Sequence, residues 1–533
     1  MKRGRSILAV MLAIGMAGCL VACGGSKKTS GETPVETSTA ANSSVAETPS
    51  GEKITVNVCE PSQSLISLDL YKYSQHTAWQ YGEMVYDALL QASYDGKFES
   101  NICTSYELAE DGLSAVLHLA ENVVFHDGTP CNADDVVATM NYLAENKETL
   151  GMITSVWTNL VSAEKVDDYT VKVNMSEKSH TFEIALGYTF ILSDEDLEKY
   201  GDQMWAQGVV NGTGPWKYDE WIDGQYVKFT RNDDFWKGRN TNVDEVYIWY
   251  ISEANTQVSS LISGEVDYVS NVNFDLLSML QGQPELTVEE YVADSMQYMQ
   301  FKMGSGDAFE DINMRKAAMH AINFEGLLSL YGGGRVMNCS ATIGNDGYRE
   351  DLTAYEYNPE LAKKYLAESN YDGRELSIYS WTSESSAVTA IASDLQSAGF
   401  KININLCDSA AFSSIRSKGE YDMFWGAVAT WDGDLMTQYI TPRILNDCHK
   451  SGYVDEHINQ LIATADAEND REKRRELLEE VVGILYENYG PICGSAQKGG
   501  YRVTRNGLSG YNATAGGPTF FRNVSVDEAV WKK

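Results

Sequence analysis

The chain has 533 residues, 43% hydrophobic and 11% aromatic, and carries 41 Lys+Arg against 76 Asp+Glu for a net charge of −35. At roughly 150 residues per domain that length holds two to four domains with large cores. The acidic balance excludes phosphate-backbone binding and electrostatic docking on anionic membranes, both of which recruit Lys/Arg patches, and eleven Trp, 31 Tyr and 15 Phe exclude a wholly disordered chain.

The chain opens with Lys2, Arg3 and Arg5 and an apolar run from Ile7 to Ala22 without an acidic residue. A basic start before a short apolar stretch reads as a secretory signal over 1–22, and the run is shorter than the roughly 20 residues of a spanning helix. Leu20-Val21-Ala22-Cys23-Gly24-Gly25-Ser26 resembles a bacterial lipobox, in which the Cys23 thiol receives a diacylglycerol; Met16-Ala17-Gly18-Cys19 is a weaker competitor. Residues 23–52, Ser/Thr/Glu/Pro-rich and free of aromatics, read as a flexible tether. The expected location is therefore the outer face of a membrane, held by lipid.

The body begins with Ile54–Val58, alternating as a half-buried strand does. Trp79–Leu90 has helical apolar spacing, and Ala115–Leu119 alternates again. Asn132 then caps a helix whose first turn carries Asp134 and Asp135. Further helices are predicted at 313–322, 359–368, 387–398 and 471–488. Further strands are predicted at 227–230, 246–251, 298–302, 376–380, 402–406 and 422–425. Helices and strands intermix without a short repeat, the pattern of a mixed α/β body with more than one lobe. Beyond Cys19 and Cys23, seven cysteines remain (59, 103, 131, 339, 407, 448 and 493) without a Cys-x-x-Cys pair. Cys59 and Cys407 lie in strand-like runs as small buried hydrophobes; no zinc site is expected, and one disulfide stays open.

A resemblance spreads over nearly the whole body. Glu110-Asp111-Gly112-Leu113, Val124-Phe125-His126-Asp127-Gly128-Thr129-Pro130 and Ala133-Asp134-Asp135-Val136-Val137 resemble the signature of the peptide/nickel class of ABC-transporter substrate-binding proteins, the extracellular solute-binding protein family 5. Asn211–Trp216, Arg231–Gly238, Ser263–Asp267, Asp311–Ala317, Tyr357–Glu360 and Tyr421–Met423 continue it in the family's order. The resemblance implies an α/β, two-lobed periplasmic-binding-protein-like fold of the large peptide-binding class, with two inter-lobe crossings and a lobe I extension. It places lobe I at 53–293, lobe II at 294–495 and a return to lobe I at 496–533. It also implies a monomer that hands a captured di- or oligopeptide to an ABC permease, with a nickel chelate, another small amine-bearing solute or a glycan as alternatives. For most of these motif residues a structural role outweighs a ligand role: Asp127-Gly128 reads as a tight turn, and Arg315 as a structural pairing residue.

In peptide-binding members an Asp after Tyr421-Asp422-Met423 pairs with the ligand's α-ammonium. Counted without a gap, that position falls on Trp431, with Asp432 one later and Asp434 on a second family Asp. Trp425, Trp431, Asp432 and Asp434 are therefore the candidate ligand-binding cluster, and Trp381 is a second candidate wall. A buried carboxylate facing an ammonium is worth about 2–5 kcal/mol when truncated, and a Trp face under a cation about 0.5–2 kcal/mol. The competing class is a secreted hydrolase using Asp432 with Asp434 or Glu479 with Glu480. No His-Glu-x-x-His, Gly-x-Ser-x-Gly or Gly-x-x-x-x-Gly-Lys motif supports it. Gly332-Gly333-Gly334 reads as a flexible loop. No catalytic residue, metal or cofactor is expected.

Overall fold

The computed structural model describes residues 53–531, apart from 61–64, 73–75, 93–97, 152–155, 180–181, 338–339, 342–345, 429–448, 469 and 514–518. Apolar side chains gather into two groups of cores. The larger joins Val56 and Val58 of the first strand, Tyr81 and Met84 of the helix His76–Val85, and Trp157, Phe190 and Trp216. Phe520, Phe521 and Val524, from far along the chain, complete it. The other group surrounds Met299, Phe301, Met319, Ile391 and Trp425 on one side and Tyr298, Phe424, Ile458 and Val482 on the other. The molecule is thus two-lobed, as the resemblance implied.

One sheet ties the lobes together. Its strand order is Lys401–Cys407, Glu375–Trp381, Met423–Val428, Leu286–Phe301, Ile492–Arg505, Tyr268–Val269, Thr55–Cys59, Glu245–Trp249, Tyr226–Arg231 and Trp216–Ile222, with Gly334–Met337 added onto Ile492–Arg505. A separate four-stranded antiparallel sheet (Cys103–Leu108, Ser114–Leu119, Thr170–Met175, Leu160–Asp167) forms the extension of the larger lobe. Leu117, Val171 and Val173 alternate inward there, as a half-solvated sheet requires.

Local sequence explains the elements that position the rest. Asn132 caps Ala133–Asn146 by accepting from the Asp134 amide, while Asp135 reaches back to the Asn132 amide, so the helix start is a full capping box. Pro359 follows the cap Asn358 at the start of Pro359–Glu368, where its missing N–H costs nothing. The helix predicted over 79–90 is shorter and earlier, His76–Val85, and the chain then turns to the strand Leu90–Ala92. The turn is held from outside: a Cβ on Gly212 would lie 2.0 Å from the Val85 carbonyl oxygen, so only glycine lets the 211–216 loop approach.

Two side chains of the motif segments, His126 and Arg315, are taken up by backbone carbonyls. His126 donates its amide to the Gly212 carbonyl (2.8 Å), and its ring Nε2 lies 2.9 Å from the Gly214 carbonyl. Burial pushes the His126 imidazole down to about 4, so it stays neutral. Arg315 donates to the carbonyls of Phe309, Glu310 and Asn488, and burial lowers its pKa. Cys59, Cys103, Cys131 and Cys493 are buried free thiols and Cys407 is half-buried; Cys339 and Cys448 lie outside the described residues.

Candidate functional site

The cleft follows from strand direction. In the larger lobe, Thr55–Cys59 runs parallel to Glu245–Trp249 and Tyr268–Val269. In the other lobe, Glu375–Trp381 runs parallel to Lys401–Cys407 and Met423–Val428. The two sets are joined through Leu286–Phe301 and Ile492–Arg505, which are antiparallel to each other and to the strands they border. That arithmetic of directions turns the carboxyl ends of both parallel sets toward the same zone, where ligands of open α/β sheets bind.

The two crossing strands are irregular within that zone. Val292 pairs with Gly499 and Met296 with Gln497, so the first strand advances four residues while the second retreats two. Such a bulge sharpens twist and bends the strand. Gln497 Nε2 donates to the Ala293 carbonyl (2.8 Å) and its Oε1 accepts from Arg335 Nε (2.6 Å), closing the gap with side-chain bonds.

Gly332-Gly333-Gly334 is not a loose loop. All three have positive φ (75°, 128° and 117°), and Gly334 begins the strand paired with Lys498. Tyr501 donates its hydroxyl to the Gly332 carbonyl at 2.8 Å. A Cβ on Gly334 would sit 2.1 Å from the Gln497 carbonyl oxygen, beside the bulge. Gly334→Ala is therefore expected to cost about 2–4 kcal/mol, by clash with backbone plus a forbidden φ. A urea titration checks it: an unchanged midpoint would show that the strand shifts freely.

The smaller lobe contributes a connected polar group. Trp425 is fully buried, and its indole N–H donates to Tyr331 Oη at 3.0 Å. Tyr331 donates in turn to Glu384 (2.8 Å), which is ion-paired to Lys498 at 2.6 Å; Lys498 Nζ also lies 4.4 Å from the Tyr331 ring centre. The structure thus places Trp425 in the core behind the cleft, linked to a crossing strand through two side chains. Trp381, at the carboxyl end of its strand, is half-buried with its ring edge-on to Phe412 at 4.7 Å and the Arg416 guanidinium 5.7 Å away. Trp431, Asp432 and Asp434 follow the strand Met423–Val428 and lie outside the described residues, as does Cys23.

The larger lobe contributes a residue that the sequence did not single out. Glu60 follows Cys59 at the carboxyl end of the first strand and is 8% exposed. It accepts from Gln80 Nε2 at 3.2 Å and from Ser270 Oγ at 3.1 Å, Ser270 standing at the end of the neighbouring parallel strand. Burial raises its carboxyl to about 7, with the two hydrogen bonds opposing. Its only sequence signal is an acid directly after an apolar strand, which by itself is weak.

Of the hydrolase alternatives, Glu479 lies on the helix Arg471–Glu487 3.4 Å from Arg475 Nε, and Glu480 is exposed 3.3 Å from His457. Among the described residues no group of three or more His, Cys, Asp and Glu could hold a metal ion, and no helix is long and apolar enough to cross a membrane.

Comparison with known proteins agrees with this geometry. Heme-binding protein A of Haemophilus influenzae is 24% identical over 485 residues, 84% of this chain and 87% of its own length. The oligopeptide-binding protein AppA of Bacillus subtilis, solved with a nonapeptide, superposes with a TM-score of 0.71 at 20% identity, covering 89% of this chain and all of that one. NikA of Brucella suis, solved with Fe(III)-EDTA, gives 0.77 at 21% identity with 89% and 100% covered. Residues 97–443 match the family model for bacterial extracellular solute-binding proteins, family 5, and the chain belongs to that family.

Proposed function

We propose that the chain captures a di- or oligopeptide outside the cell between its two lobes and delivers it to an ABC importer, without turnover. The observation that carries this reading is the meeting of both parallel strand sets at the bulged crossing pair, which gives a ligand walls on two bodies joined by a bendable floor. Ligand contacts to both walls favour the closed state, because only a difference in affinity between open and closed forms can move that equilibrium. The peptide assignment draws support from a Brucella abortus relative named "Putative ABC transporter peptide-binding protein", 27% identical over 339 residues, and from the AppA likeness.

Around that core we place a signal peptide at 1–22, lipidation of Cys23 and a tether to residue 52, holding a monomer at the outer face of the membrane. Lobe I is taken as 53–293 with 496–533, and lobe II as 294–495. Trp381, Trp431, Asp432 and Asp434 remain the proposed lobe II contacts, with Trp425 behind them. Replacing Asp432 and Asp434 together with Asn is expected to weaken peptide binding at least tenfold, about 1.4 kcal/mol. Mass spectrometry of ligand carried through purification, followed by a peptide thermal-shift screen, tests the function. Product accumulating from the bound peptide, or no saturable shift with any peptide, would sink it.

A further inference from the structure

Glu60 is more than a buried acid at a strand end. Gln80 Nε2 is spent twice, on Glu60 Oε1 and on the Thr519 carbonyl at 2.6 Å, so the carboxylate is held in one place by a donor with nothing left to give. Ser270 holds the other oxygen. No Lys, Arg or His among the described residues forms an ion pair with Glu60. Arg502, on the second crossing strand, is engaged elsewhere, with its guanidinium 4.5 Å from the Tyr291 ring centre and its Nε 3.6 Å from Glu289. A second observation points the same way. Thr77, 5% exposed, carries a hydroxyl with no hydrogen-bond partner among the described residues, and it precedes Gln80 by three residues on one face of the helix His76–Val85. A buried orphan oxygen one helical turn from the residue that holds an uncompensated buried carboxyl is costly unless something donates to it.

We propose that Glu60 is the point in the larger lobe's wall that receives a positively charged amine or guanidine of the ligand, with the Thr77 hydroxyl, one helical turn before Gln80, as a second acceptor. This rests on the cleft being the ligand site. A cationic donor brings the opposite charge that Glu60 lacks and N–H groups for the Thr77 oxygen. The titratable groups that sense Glu60 are Cys59 on its own strand, Tyr250 after the neighbouring strand, Tyr268 on the adjacent parallel strand and Tyr291 on the first crossing strand. Burial raises all four, so they stay neutral near pH 7 and Glu60 alone changes charge there. Binding of the cation therefore releases the proton that the burial-raised carboxyl, near 7, would otherwise keep.

The test uses n-butylammonium chloride, a bare Lys-like cation, against n-butanol as its neutral analogue, in thermal-shift titrations of the full chain at constant ionic strength. Wild type is expected to bind butylammonium saturably and about tenfold more tightly at pH 8 than at pH 6, as the ionised fraction of Glu60 rises. Glu60→Gln, which keeps the shape, still accepts from Gln80 and donates its amide N–H to the Ser270 hydroxyl, is expected to lose at least tenfold and the pH dependence with it. Thr77→Val is expected to weaken binding at both pH values. Absence of saturable binding, equal affinity in wild type and Glu60→Gln, tighter binding at pH 6, or preference for butanol each overturns the inference. Peptide binding that ignores Glu60→Gln leaves the proposed function standing without this inference. Butylammonium binding through Glu60 with no peptide bound leaves the inference standing with another cationic cargo.

Discussion

Arg522→Met is expected to destabilise the folded chain by about 3–5 kcal/mol, the cost of leaving one partner of a buried ion pair alone. Arg522 and Asp87 form that pair with 7% and 0% of their side chains exposed. Arg522 also donates to the carbonyls of Glu83 and Tyr86, just where the helix His76–Val85 ends, at 2.9 and 3.2 Å. Removing it leaves the Asp87 carboxylate with Trp236 Nε1 (2.7 Å) and Asn101 Nδ2 (3.3 Å), two neutral donors for a full charge. Urea unfolding followed by tryptophan fluorescence gives the measurement. A loss below about 1 kcal/mol would mean that the pair is as weak as a surface bridge. The double variant Asp87→Leu/Arg522→Met is expected to recover part of the loss, since the uncompensated charge goes with its partner.

Glu60→Gln is expected to stabilise the chain at pH 8 by about 3 kcal/mol while leaving it unchanged at pH 4. The folded carboxyl is raised from 4.5 to about 7 by burial. Between those values the unfolded chain has released the proton and the folded chain still holds it. Stability therefore falls as pH climbs through this window and is level above it, and a neutral Gln abolishes the fall. The rise from 4.5 to about 7 sets the magnitude, about 1.4 kcal/mol for each tenfold change in proton affinity. Denaturation of both proteins at pH 4, 5.5 and 8 checks it: a gap that does not widen with pH would show that Glu60 titrates normally.

What the sequence made legible was whatever is decided within one turn or one strand. The helix Pro359–Glu368 has the predicted bounds because Asn358 and Pro359 mark its start locally. The cap at Asn132 is likewise a contact among residues 132–135. The first crossing strand was predicted only at 298–302 and runs over Leu286–Phe301. Its added length carries Glu290, which breaks the alternation that Leu286 and Val288 begin, because a strand passing between two bodies has no single core to face. The helix expected to reach Leu90 stops at Val85, since the turn that ends it is held by Gly212 and Arg522, residues more than a hundred positions away. The site divides the same way. Trp425 and Trp381 stand out as residue types, but that Trp425 reaches Lys498 through Tyr331 and Glu384 depends on four separate segments. Glu60 acquires its raised carboxyl from burial and its fixed position from Gln80 and Ser270, the latter 210 residues on, and no spacing rule announces that.

Phe520, Phe521, Val524 and Val526 share a core with Val56 and Val58. The first body to leave the ribosome is therefore the last to be finished. Those four positions of the core stay unfilled until the last part of the chain has been made, and closure of so long a loop slows folding. The two lobes cannot be built one after the other, so a chain cut short before Phe520 lacks not a tail but the completion of its beginning.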